Sequence, residues 1–175
     1  MRPEPDFRAA AVVRIAEEMA LAARTAPKAK GIDLLEIVVL QGDDILKLSA
    51  GMKAIGEREN HPTFLRDCEN VKAAQAVLLI ATRRQTIGLR YCSFCGQPDC
   101  AAAEKHGVNC VFNGGDLGIA IGSAVAVAAD RRVDNRIMYT AGKAAIEAKM
   151  LGPEITIALG IPLSVSSKSP FFDRK

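Results

Sequence analysis

Residues 76–82 read AVLLIAT, an almost unbroken apolar run. A strand with apolar side chains on both faces needs cover on both faces, so this run predicts a central strand between two packed layers. Residues 34–40 (LLEIVVL) and 155–159 (ITIAL) read as further strands, and 161–165 extends or follows the last of them. Helical patterns lie between. Residues 6–26 carry Val12, Ile15, Met19 and Ala22 at steps of three and four and stop at Pro27. A second helix, capped by Asp43 or Asp44, runs to about residue 55 with Ile45, Leu48, Met52 and Ile55 on one face. Residues 56–65 look polar and irregular, 67–75 form a short helix, Asp116 caps a helix reaching 129 or 130, and 139–151 form the last helix before Gly152-Pro153. This alternation predicts a layered α/β or α+β fold, built as one domain over residues 1–175.

Composition agrees with a single folded unit. The chain has 175 residues, enough for one substantial core, and 49% of them are hydrophobic, as in globular proteins. Its formal charge of +3 is spread among interspersed acids and bases, which points to neither nucleic acid nor a membrane surface as partner. The first residues, MRPEPDFRAA, lack an apolar leader. The longest apolar run, 117–129, falls short of the roughly 20 residues that a membrane span needs. A cytoplasmic protein is therefore expected.

Four of the five cysteines fall within nineteen residues: Cys92, Cys95, Cys100 and Cys110, spaced C-x2-C-x4-C-x9-C. Four thiolates this close can ligate one inorganic centre, and an iron–sulfur cluster takes four. Gly96 and Pro98 supply turn chemistry, 101–105 make a helical turn, and Gly107 breaks it so that Cys110 can return. Phe94 and Val108 are expected to shield the centre, and His106 to sit at its surface. Zinc competes for a four-cysteine site, although a gap of nine residues makes a poor zinc knuckle. Residues 91–112 thus form a cluster-binding segment inserted between a strand and a helix. Cys68 stands apart and reads as a buried free thiol. His61 and His106 are isolated in sequence, so no catalytic acid–base pair is assigned.

After the cysteines, Gly114, Gly118 and Gly122 recur at steps of four and lead to Ala126. On a helix, Gly118, Gly122 and Ala126 share one smooth face. That face is expected to be buried, either in the domain centre or at a subunit interface. A phosphate cradle at Asn113-Gly114-Gly115 is the functional alternative.

The stretch CSFCGQPDC resembles the [4Fe–4S] segment CG-x-CG-x-P-x-C of corrinoid iron–sulfur proteins and electron-transport subunits, with Ser93 in place of the first glycine. From about Arg24 onward, ARTAPKAKGIDLLEIVVL, the cysteine segment, DLGIAIGSAVAVAADRRVDNR and GIPLSVSSKSPFFDR resemble a family of bacterial and archaeal proteins containing a ferredoxin domain. A more distant likeness, to nitroreductase-like flavoproteins, rests on Ala23-Arg24-Thr25-Ala26-Pro27-Lys28 before a strand, on Asp116 opening a buried helix, and on a turn at Gly160-Ile161-Pro162. It implies an α+β nitroreductase-like fold, a homodimer, and FMN at the subunit interface near Arg24, Pro27 and Lys28. Lys168 and Arg174 are further candidates for its phosphate. The arginine-rich phosphate motif of those flavoproteins has no counterpart, since Arg8 and Arg14 do not reproduce it. The expected function is electron transfer through one [4Fe–4S] cluster to a redox partner. The alternatives are an FMN oxidoreductase fed by the cluster and a zinc-stabilised module.

Overall fold

The computed structural model describes residues 1–172, and Arg174 lies outside the described residues. In chain order the main elements are α1 (Pro5–Thr25), β1 (Leu35–Leu40), α2 (Asp43–Arg58), α3 (Pro62–Lys72), β2 (Ala76–Arg83), α4 (Cys100–Lys105), α5 (Val111–Asp130), β3 (Asp134–Asn135), α6 (Tyr139–Glu147) and β4 (Ile155–Ser164). The strands form one antiparallel sheet in the order β1-β2-β4-β3.

Strand β2 is central, and every residue from Ala76 to Thr82 is buried. Side chains alternate across a strand, and here both sets find a core. Val77, Leu79 and Ala81 pack with α2, α3 and α6, through residues such as Leu48, Met52, Phe64 and Ala144. Ala76, Leu78 and Ile80 pack with α1 and α5, through Val12, Met19, Ala120 and Ala124. Fully burying one large aliphatic side chain is worth about 1.5–3 kcal/mol, so the two layers hold the sheet firmly.

Several boundaries differ from expectation. Helix α2 has Gly42 as its N-cap, with no side-chain cap, and Asp43 and Asp44 lie in its first turn. Residues expected to be irregular belong to the end of α2 and the start of α3, where Pro62 occupies the first turn. The expected cap Asp116 lies inside α5, which begins five residues earlier behind Cys110. Helix α6 ends at Glu147, short of residue 151. The expected turn at Gly160-Ile161-Pro162 is continuous strand within β4. Gly160 exchanges both backbone hydrogen bonds with Met138, at 2.8 and 2.9 Å. The nitrogen of Pro162 lies on the same edge, where it can donate to nothing, and β3 pairs only with Leu163 and Ser164 there. Gly142 on α6 is pressed against β4, since a Cβ would stand 1.8 Å from the carbonyl oxygen of Ala158.

Helix α5 is, by length and composition, apolar enough to cross a bilayer, longer than the sequence run suggested. Its Leu117, Ala120, Ile121, Ala124 and Ala128 pack against α1 and the sheet. The smooth face is not in the domain centre: Gly118, Gly122 and Ala126 are exposed, and among the described residues nothing beyond the adjoining backbone of the helix stands within 4 Å of a Cβ built on Gly115, Gly118 or Gly122.

Candidate metal centre

The four clustered cysteines line one cavity of about 130 Å³ between the end of β2 and the start of α5. This far exceeds the ~10–15 Å³ that admits a single water. All four thiols are free and half-buried. Ile87, Leu89, Ala103 and Phe112 give the cavity its apolar wall. Phe94 and Val108, the expected shields, are not in that wall. Phe94 is 75% exposed and stacks on Phe112, with ring centroids 6.1 Å apart.

The backbone carries the thiols there by identifiable steps. Ser93 has φ +57° and Gly96 φ +80°, left-handed conformations in which a side chain is costly and glycine is not. The position where the resembling motif carries glycine is therefore one that needs this conformation, and Ser93 adopts it. The Ser93 hydroxyl donates to the Pro98 carbonyl at 3.1 Å, and Gly96 N–H donates to the Ser93 carbonyl at 3.0 Å. Asp99 caps α4 by accepting the Ala102 N–H at 2.8 Å. Gly107, at φ +65°, then lets the chain leave α4 and return at Cys110.

Long-range bonds fix the segment to the core. Asn113, 2% exposed, donates through Nδ2 to the carbonyls of Arg83 and Gln85 at 3.0 and 2.8 Å, tying the end of β2 to the first turn of α5. Thr156 on β4 donates to Asn109 at 2.8 Å. His106, exposed as expected, bonds through Nδ1 to Gln97 Oε1 at 2.9 Å.

Two of the thiols sit at helix N-termini: Cys100 is the first residue of α4 and Cys110 is the N-cap of α5. The first N–H groups of a helix lack intrahelical partners, so they are available to hydrogen-bond sulfur there. Cys68 stands apart in the core. It is 2% exposed, and burial, reinforced by the Glu69 carboxylate, pushes its thiol above the ordinary range. Among the described residues no three His, Cys, Asp or Glu side chains converge as a single-ion site. The donor set fits an iron–sulfur cluster: four thiols on one cavity, none needed by the rest of the fold.

The residues expected near a flavin are engaged elsewhere. Arg24 Nη1 pairs with Asp33 at 2.7 Å and donates to the Leu35 carbonyl at 3.1 Å. Burial works against the Asp33 charge, but Arg24 and the Leu35 N–H outweigh it and hold the carboxyl below its usual range. Lys28 Nζ donates to the carbonyls of Ala23, Arg24 and Ala26, capping α1 just before its stop at Pro27. Lys168 lies in the exposed turn after β4. Arg24, Pro27, Lys28 and Lys168 do not line the cysteine cavity.

A relative from Archaeoglobus fulgidus, described as an uncharacterized protein, is 42% identical over 181 residues, covering 98% of this chain and 96% of its own. The profile of a family described as uncharacterized proteins containing a ferredoxin domain matches residues 106–174. The chain belongs to this family. The matched part of this ferredoxin-domain protein includes Cys110 and stops short of Cys92, Cys95 and Cys100. Its fold is nitroreductase-like. A Lactococcus lactis nitroreductase solved with nicotinic acid superposes with a TM-score of 0.63 at 14% identity, over 89% of this chain and 78% of the other. An FMN-dependent nitroreductase from Clostridium difficile gives 0.57 at 16% identity, over 89% and 76%.

Proposed function

We propose that this chain is an iron–sulfur redox protein of the cytoplasm, holding one [4Fe–4S] cluster through Cys92, Cys95, Cys100 and Cys110 and passing single electrons to or from a partner. The observation that carries this reading is the cavity that all four cysteines line while Cys68 stays in the core. When bound, the cluster supplies one-electron chemistry. The protein's part is to ligate it, to set helix N-termini behind Cys100 and Cys110, and to keep water from its inner side with Ile87, Leu89 and Phe112. The ferredoxin-domain family and the redox fold of its structural neighbours support the reading.

Anaerobic purification with counts of iron, acid-labile sulfide, zinc and flavin tests it. The expected result is [4Fe–4S] stoichiometry, lost on Cys95→Ser or Cys110→Ser and kept on Cys68→Ala. A colourless chain with one zinc and no sulfide would overturn it. Stoichiometric FMN would favour a flavin oxidoreductase fed by the cluster.

We also propose a homodimer formed through the outward face of α5. Gly115, Gly118, Ile119, Gly122 and Ala126 are exposed there, and no charged residue occurs between Asp116 and Asp130. Small residues allow close approach of two backbones, and an exposed apolar face of this kind marks an interaction site.

A further inference from the structure

We infer that the mouth of the cysteine cavity is a docking face for an acidic one-electron carrier protein. The inference rests on the cluster reading above and adds the chemistry of the partner. Tyr91 and Phe94, which alternate with the ligands Cys92 and Cys95, are 103% and 75% exposed. No core explains two aromatic side chains held in water, and aromatics are the residues that anchor interfaces.

Charge selects the partner. Arg90 lines the cavity, Lys105 is carried by the cysteine segment, Arg84 reaches that segment at Gly107, and Lys30 Nζ donates to the carbonyl of Ile87 in the cavity wall at 3.3 Å. Among the described residues the Arg84 side chain donates only to the Gly107 carbonyl, from Nη1 at 3.4 Å, and pairs with no carboxylate. Arg90 and Lys105 form no hydrogen bond or ion pair among the described residues and are exposed. The acids of the segment, Asp99 and Glu104, accept from the Ala102 N–H and the Thr86 hydroxyl and keep their charges. Four cations against these two acids leave the side chains around the mouth net positive, complementary to an acidic surface. All four thiols are half-buried, so a docked carrier would sit directly over the centre. With a cluster held by the four cysteines, this face would bring a reduced carrier within reach of it for one-electron transfer, in which no bond forms or breaks and no proton moves.

Calorimetric titration of the cluster-loaded chain with an acidic [2Fe–2S] ferredoxin, and with basic cytochrome c as the opposite probe, tests this. Binding of the ferredoxin should weaken as salt rises. It should weaken about tenfold in the double variant Arg90→Glu, Lys105→Glu, weaken in Tyr91→Ala, and stay unchanged in Lys53→Glu, on the opposite layer. Each variant is first matched to the parent in iron and sulfide; if the double reversal loses the cluster, Arg90→Gln, Lys105→Gln replaces it. Ferredoxin binding that is absent or indifferent to these charges, or preferential binding of cytochrome c, would overturn the docking face and leave the cluster reading standing. So would a dimer that Tyr91→Ala converts to monomer in sedimentation, because a second copy would then occupy the face. A chain that takes up no iron or sulfide overturns both.

Discussion

The Asp116 carboxylate accepts the backbone N–H of Ala29 through both oxygens, at 3.1 and 3.0 Å. This single contact ties the turn after α1 to the helix that follows the cysteines. Replacing Asp116 by Ala leaves a part-buried donor unpaired, which costs about 1–3 kcal/mol. Asp116→Asn, which keeps one acceptor, should lose less. Urea unfolding of the two variants against the parent gives the comparison, and equal losses would show that the carboxylate pair is not what matters.

Gly142 and Gly118 should respond oppositely to alanine. At Gly142 the new methyl meets the Ala158 carbonyl, and overpacking of this kind costs about 1–3 kcal/mol. At Gly118 there is open space, and alanine in a helix interior gains about 0.5–1 kcal/mol over glycine. Gly118→Ala should therefore raise the intrinsic stability of the subunit while weakening the proposed dimer. Thermal melts and sedimentation velocity on the same sample read the two effects separately.

Cys68 should be silent in the native chain. Its thiol is buried and held above the ordinary thiol range, and the thiolate is the reactive form. Iodoacetamide at pH 8, followed by peptide mass mapping, should label Cys68 only after denaturant is added. Labelling of the native protein at this site would mean that α3 opens readily.

The Asp33–Arg24 pair makes a specific acid-side contribution. The folded-state pKa of Asp33 is depressed, so the unfolded state binds the proton more readily. The pair's stability is thus fully present above the unfolded value of about 3.9 and is lost as pH falls through the lower folded value. Asp33→Asn should remove that part of the acid sensitivity. Urea midpoints between pH 2 and 6 should show a shallower fall for the variant, and parallel curves would refute the assignment.

The sequence made the centre of the fold legible because burial on two faces writes an unbroken apolar run, and 76–82 has one. Strand β3, two residues long, leaves no such signature. The start of α5 was obscured by Gly114 and Gly115, poor helix formers that sit inside it, and by Asp116, which resembles a cap but serves Ala29 across the fold. Pro62 does signal the start of α3, yet the polar stretch before it masks that mark. Spacing alone suggests that the four cysteines lie close together, and they line one cavity. Their shielding could not be read that way, because Ile87, Leu89 and Phe112 reach the cavity through the path of the loop. The partners of Arg24 and Lys28, Asp33 and the last carbonyls of α1, could not be read from the sequence, because they depend on how the helix end folds.

Neither apolar core includes Cys92, Cys95, Cys100 or Cys110. The elements that carry the cavity, β2 and α5, are secured by those cores and by Asn113. On the proposed reading, assembly would have an order: the two cores set the shape of the polypeptide without those thiols, and the inorganic part would be added afterwards. Iron shortage would then cost the centre and spare the fold.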